Sequence, residues 1–271
     1  MASKDTPAED IPVVILAGGM GTRMREATES LPKPMVDIGG KPILWHIMKL
    51  YSHYGHRRFI ICLGYKGWQI KEYFLRYREH LSDLTVEVGD SHGVTIHNKP
   101  AEENWKVTLA ETGLTSGTGA RLRLVRDYID TDTFMYTYGD GIGSVDIASL
   151  LECHRSHDRI GTVTGVPPTS RYGEMRIEGG AVAEFDEKPT RPPGFVNGGF
   201  FTFQREFLDY LDDTPELMCE RGPLQSLARD EQLAVFRHDG FWMGMDTYRE
   251  YTELNALWVN DEAPWHVWDK D

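Results

Sequence analysis

Cysteine is scarce. Cys62, Cys153 and Cys219 are the only three in 271 residues, far apart and with no Cys-x-x-Cys pair. That argues against a disulfide framework and a thiolate metal knuckle, and it points to a reducing compartment, the cytoplasm. Positive charge is in deficit, with 29 Lys and Arg against 42 Asp and Glu for a net charge of −13. Nucleic-acid polymers and anionic membrane surfaces would be repelled by such a field. No apolar run approaches the ~20 residues of a membrane span. There is no Gly-x4-Gly-Lys-Ser/Thr loop and no Gly-x-Gly-x-x-Gly loop, so a P-loop and a nicotinamide dinucleotide fingerprint are both missing. No Ser/His/Asp triad or reactive cysteine stands out either. Residues 1–11 are polar and acidic, unlike a signal peptide, and read as a short disordered leader. What remains, 40% apolar over 271 residues, is enough for one large α/β domain or one domain plus a small subdomain, and reads as a single domain over 12–271.

The most informative stretch is Val13 to Arg23, VVILAGGMGTR. Four apolar residues, three of them β-branched, suit a strand buried on both faces of a parallel sheet. The strand runs into three glycines within four residues, Gly18, Gly19 and Gly21. Glycines let the backbone turn sharply and let a ligand approach the main chain. Successive N–H groups in such a turn make an anion-binding concavity, and Arg23 adds a charged fork that fits phosphate. A plain strand-to-helix turn is the alternative, but the order strand, glycines, arginine favours phosphate.

Residues 24–32 show no clean period and read as a mobile segment beside that loop. Prolines 32 and 34 flank Lys33 and are expected to hold it on extended backbone, aimed at a partner. Helical spacing over 43–53 predicts a helix started by Pro42 and ended by Gly55, with His46 inside it as a structural hydrogen-bonder. A strand at 58–63 and a helix at 68–78 follow, which makes parallel crossovers. From 84 to 112 the pattern alternates, predicting antiparallel strands inserted into the α/β core, a candidate subunit interface. Residues 113–121 form a second glycine-rich loop ending in Arg121, a plain turn or a wall of a nucleotide site. A core strand at 134–138 ends in Gly139-Asp140-Gly141. A carboxylate there sits where open α/β sheets bind ligands and suits Mg2+, with helix capping as its alternative. Asp146 caps a helix over 147–157, on which His154 and His157 read as a solvated face. A strand at 160–166 and a hairpin at 175–185 precede Asn197, which sits before two glycines as a sugar-hydroxyl ligand or a turn residue. An aromatic strand (200–203), helices at 205–211 and 221–230 and a short strand at 235–237 follow. Asp246 ends an apolar approach and could cap the helix 247–259. The tryptophan-rich tail is expected to pack on the body or on a neighbouring subunit.

Taken together, LAGGMGTR (16–23), PKPM (32–35), GDG (139–141), EKP (187–189), NGGFF (197–201) and MDT (245–247) resemble the sugar-1-phosphate nucleotidylyltransferases. Longer stretches at 37–55, 64–74 and 241–250 are similar to the glucose-1-phosphate cytidylyltransferase branch. Thymidylyl members carry Lys-Gln-Leu-Leu where this chain has Lys-Pro-Met-Val. The resemblance implies a Rossmann-like, mainly parallel mixed sheet flanked by helices. It also implies a homo-oligomer, CTP and glucose 1-phosphate as substrates, and CDP-glucose and pyrophosphate as products. Other nucleotides or hexose phosphates, and a nucleotide-sensing subunit without turnover, stay open as alternatives. By the same resemblance Leu16, Ala17, Gly18, Gly19, Met20, Gly21 and Thr22 hold the nucleotide, with Ser116, Arg121 and Gly139. Arg23 neutralises the leaving pyrophosphate, and Lys33 bridges the reacting phosphates. Tyr172, Gly173, Glu187, Lys188 and Asn197 hold the sugar phosphate, and Asp140 and Asp246 hold Mg2+.

Overall fold

The computed structural model describes residues 6–19, 21, 30–88, 93–97, 103–168, 174–178, 181–186 and 194–268, the two segments within 174–186 by backbone alone. Its centre is a seven-stranded sheet. The strands are β1 (Val13–Ala17), β2 (Arg58–Leu63), β3 (Lys106–Glu111), β4 (Thr133–Tyr138), β5 (Gly161–Val166), β6 (Val196–Gln204) and β7 (Leu233–Arg237). Their spatial order is β7-β5-β6-β4-β1-β2-β3. β1 pairs in parallel with β2 and β4, β2 with β3, and β5 with β7, while β6 lies antiparallel between β4 and β5. Every strand except β6 therefore runs the same way, as the mixed-sheet expectation requires.

β1 is buried along its whole length, and its period of two feeds both sides of the sheet. Val13, Ile15 and Ala17 join one core with Phe59, Ile61 and the helix α1 (Ile43–His53). Val14 and Leu16 join the other with Ile60, Tyr136, Phe201 and Phe203. Among the described residues the further α-helices are α2 (Gly67–Leu75), α3 (Thr118–Leu124), α4 (Ile147–Arg155), α5 (Pro223–Arg229) and α6 (Tyr248–Val259), with a short turn of helix at Tyr77–His80. Among the described residues no helix is long and apolar enough to cross a membrane.

The helix at 43–53 and the strand at 58–63 fall where the pattern puts them. Asp146 accepts the Ser149 N–H at the start of α4, as expected of an N-cap. Five expectations are corrected. First, residues 6–11 are held rather than loose. Ile11 is fully buried, Arg58 donates to the Asp10 carbonyl, and Arg155 donates to the Thr6 carbonyl. Second, only Leu84–Val86 and Val94–Ile96 form an antiparallel pair, whereas the third alternating stretch is β3, a parallel edge strand of the main sheet. Its half-exposed position at the edge mimics the alternation of an antiparallel strand. Third, the second glycine-rich loop stops at Gly117, because α3 already includes Arg121. Fourth, Lys33 opens a single 3-10 turn, Lys33–Met35, with only Pro32 before it extended. Fifth, His154 is fully buried, sharing the Thr162 hydroxyl with His157, and is no part of a solvated face.

Candidate active site

β1 and β4 are neighbours at the centre of the sheet, with the connections leaving to opposite sides. In open α/β sheets ligands bind outside the carboxyl ends of the strands at such a point. The glycine loop leaves β1 there, and Gly139-Asp140 leave β4 beside it. Gly139 sits so tightly against the Leu16 carbonyl that a Cβ would collide with it. Gly19, by contrast, has open space where a Cβ would go, and Gly21 has a left-handed φ of +59°. Packing does not demand a glycine at 19, so the space over this part of the loop is available to a ligand.

Gly18 has a different reason. A Cβ at Gly18 or Gly64 would overlap the buried guanidinium of Arg121. That group donates to the carbonyls of Leu63 (3.0 Å), Gly113 (2.8 Å), Leu114 (3.3 Å) and Gly18 (3.2 Å), and to the Thr112 hydroxyl (2.7 Å). One planar fork thus ties the two glycine-rich loops to the end of β2. Ser116, half-buried, lies in the second loop beside Gly113, and Gly117 anchors that loop by donating to the Pro215 carbonyl at 3.0 Å.

The two carboxylates come together through a short ribbon. Gly141–Gly143 pairs antiparallel with Trp242–Gly244, and the Met245 N–H donates to the Asp140 carbonyl at 2.8 Å. Asp140 enters the ribbon and Asp246 leaves it, so both acids stand at the same end. Lys33, carried on its 3-10 turn, places its ammonium between them. Nζ is 2.6 Å from Asp140 Oδ2 and 2.7 Å from Asp246 Oδ1. The lysine side chain is 11% exposed, the carboxylates 39% and 48%. Burial works against the charge on Lys33, but the attraction and hydrogen bonds of Asp140 and Asp246 overcome it and hold its pKa above the ordinary lysine value. Asp246 does not cap the following helix. Thr247 does, in a capping box with Glu250, whose carboxylate also accepts the Asp246 N–H. The Asp246 carboxylate is thereby left to face Lys33.

Asn197 stands at the start of β6, exposed, donating to the Tyr138 hydroxyl at 3.0 Å. Met20, Thr22, Arg23, Tyr172, Gly173, Glu187 and Lys188 lie outside the residues whose side chains are described. Among the described residues no cluster of three or more His, Cys, Asp or Glu could hold a metal ion. Two half-exposed carboxylates still fit a hard divalent cation that takes its other ligands from phosphate and water. Cys62 and Cys219 are buried, which pushes their thiols up to about 12 and makes them poor nucleophiles. Sequence reasoning missed Tyr138, Thr112 and Glu220 at this site. Tyr138 sits next to a motif, but Glu220 lies in a featureless turn, and nothing in its neighbours announces it.

Comparison with known proteins identifies the family. The nucleotidyl transferase family model matches residues 12–259. A glucose-1-phosphate cytidylyltransferase of Salmonella typhi is 46% identical over 257 residues, 94% of this chain and 99% of that one. The catalytic subunit beta of a mannose-1-phosphate guanylyltransferase from Dictyostelium discoideum is 29% identical over 91% of this chain and 64% of that one. HddC from Yersinia pseudotuberculosis shares the fold, with a TM-score of 0.65 at 24% identity over 92% of this chain and 99% of that one. On the match across 12–259 and the identity along nearly the whole length, the chain belongs to the nucleotidyl transferase family.

Proposed function

We propose that this protein transfers a cytidylyl group from CTP to α-D-glucose 1-phosphate, giving CDP-glucose and pyrophosphate. The observation that carries the chemistry is one buried-side lysine paired with two carboxylates beside a glycine loop at the carboxyl end of the sheet. The choice of CTP and glucose 1-phosphate rests on the 46% identical relative of that name.

A phosphate oxygen of the sugar phosphate attacks the α-phosphorus in line. The new P–O bond forms as the bond to the β-phosphate oxygen breaks, and the electron pair leaves with pyrophosphate. Such transfer needs positioning and charge neutralisation rather than a protein nucleophile. In this reading the main chain from Leu16 to Thr22, with Gly139 and Ser116, cradles the nucleotide. Arg121 supports that cradle by holding both loops. Arg23 neutralises the β- and γ-phosphates. Lys33 bridges the two reacting phosphates, and Tyr172, Gly173, Glu187, Lys188 and Asn197 hold the sugar phosphate. Asp140 and Asp246 would hold Mg2+, which when bound screens the phosphate charge and polarises the α-phosphate. The protein works in the cytoplasm as a homo-oligomer.

A pyrophosphate-release assay with glucose 1-phosphate and each nucleotide in turn tests the reading. Turnover with CTP well above the others is the expected result. Activity with UTP, dTTP or GTP but not CTP would overturn it, and no turnover with any nucleotide would leave a sensing subunit instead.

A further inference from the structure

Asn197 is not a loose amide. Its Oδ1 accepts the Gly199 N–H at 2.8 Å, which fixes which end of the amide is oxygen. Its Nδ2 donates to the Tyr138 hydroxyl at 3.0 Å. Tyr138 in turn donates its single hydrogen to Glu220 Oε1 at 2.6 Å. The direction of the chain follows. An ionised carboxylate only accepts, so the phenol donates to it and has only lone pairs left for Asn197. The second Nδ2 hydrogen is used by neither bond. The Tyr138 ring is itself wedged against Gly199, whose φ is +79° and where a Cβ would press on the ring. The other carboxylate oxygen, Glu220 Oε2, accepts the Thr118 hydroxyl at 2.7 Å at the start of α3.

We propose that Glu220 is a positioning residue for the sugar-phosphate end of the site: through Tyr138 it locks the Asn197 amide so that an N–H, not a carbonyl, meets the substrate. This rests on the reading of Asn197 as a sugar-phosphate contact. An N–H offered at that point suits a phosphate oxygen or a sugar hydroxyl oxygen and disfavours a group that can only donate. Glu220 itself touches no substrate. Its effect passes through two hydrogen bonds: the Gly199 N–H holds the oxygen end of the amide, and Tyr138, whose hydrogen is committed to Glu220, holds the nitrogen end.

Steady-state kinetics on Asn197→Ala, Tyr138→Phe, Glu220→Gln, Thr118→Val and the Asn197→Ala/Tyr138→Phe double variant test this, varying CTP and glucose 1-phosphate separately. Tyr138→Phe is expected to raise KM for glucose 1-phosphate roughly fivefold, the size of one lost hydrogen bond, with KM for CTP within about twofold. Adding Tyr138→Phe to Asn197→Ala adds nothing further, because the amide it orients is gone. Thr118→Val, which cuts the other arm of the carboxylate, leaves KM for glucose 1-phosphate unchanged. Where Tyr138→Phe does not fold, Glu220→Gln reads the same split, since it removes the charge that fixes the direction of the chain. Equal rises in both KM values, or a Tyr138→Phe effect that persists in the Asn197→Ala background, would overturn the positioning role. So would a KM for glucose 1-phosphate that Tyr138→Phe and Glu220→Gln both leave unmoved while Asn197→Ala raises it. An unmoved KM in Asn197→Ala itself would instead remove Asn197 from the sugar site, and the positioning role with it.

Discussion

At the residue scale, the site depends on three charges that the fold crowds together. Lys33 meets Asp140 across 107 residues of sequence and Asp246 across 213. With the lysine at their centre, neither carboxylate is left to repel the other. Replacing any of the three by alanine removes charge placed where phosphate charge must be managed. Lys33→Ala and Asp140→Ala are each expected to lower kcat by ~10²-fold or more while the fold, read by circular dichroism, survives. Near-normal turnover in a pyrophosphate-release assay would take that residue out of its role. Gly18 tests a different idea. A Cβ there must displace the Arg121 guanidinium, which carries bonds to both loops. Gly18→Ala should lower stability by about 1–3 kcal/mol, read as a shift of the urea midpoint. The residue types were legible in the sequence because Lys33, Asp140 and Asp246 each sit in a short motif between breakers. That the two acids share a site followed only from the family resemblance, because the ribbon that joins them has its two strands about a hundred residues apart, and the direct contact of Lys33 with both acids shows only in the structure. Arg121 was legible as a loop residue near the nucleotide, but its work of joining two loops shows only once β2 and α3 are packed.

At the scale of elements, the tail is the clearest addition. Trp265 is fully buried and donates its indole N–H to His46 Nδ1 at 3.4 Å, while His46 Nε2–H donates to the Ile38 carbonyl at 2.9 Å. Both ring nitrogens are used by the neutral imidazole, and Trp45, Trp258 and Trp268 surround it. Burial drives the His46 pKa from 6.5 down to about 4. The unfolded chain therefore binds a proton that the folded chain refuses. The stabilisation is fully present above pH 6.5 and is lost as the pH falls through the window down to about 4. The loss due to this one ring is about 3 kcal/mol. His56, also buried, shifts in the same direction. Urea unfolding of wild type and His46→Phe at pH 7 and pH 4.5 isolates the effect. The variant should lose less stability between the two pH values than the wild type, and an identical loss in both would refute the assignment. The pattern gave the helix carrying His46 directly, since apolar spacing, Pro42 and Gly55 agree with one another. It misread β3, because an edge strand of a parallel sheet is half wet and alternates like an antiparallel one. It left the partner of the tail open, because helical spacing says which face is apolar but not what covers it.

At the scale of the whole molecule, the described residues leave an apolar hairpin face exposed. In the hairpin Leu84–Val86 with Val94–Ile96, Leu84 pairs with Ile96 and Val86 with Val94, so all four side chains share one face. They are 39%, 43%, 55% and 55% exposed respectively for Leu84, Ile96, Val86 and Val94. Among the described residues no strand of the main sheet pairs with this hairpin, and its edges can take a second one. A chain with a net charge of −13 repels its own copies at long range, so association requires an apolar contact of this kind to offset the repulsion. We propose that two copies bury this face against each other. Light scattering during size exclusion should then give a mass that is a multiple of 30.9 kDa. Val86→Lys together with Val94→Lys places two charges at the centre of the contact. The double variant should run at 30.9 kDa with its fold intact by circular dichroism. A wild type already at that mass would leave the face without a partner copy, and an oligomer that survives both lysines would move the interface elsewhere. Raising ionic strength supplies an independent arm, since screening the net charge strengthens an apolar contact and weakens one built on ion pairs.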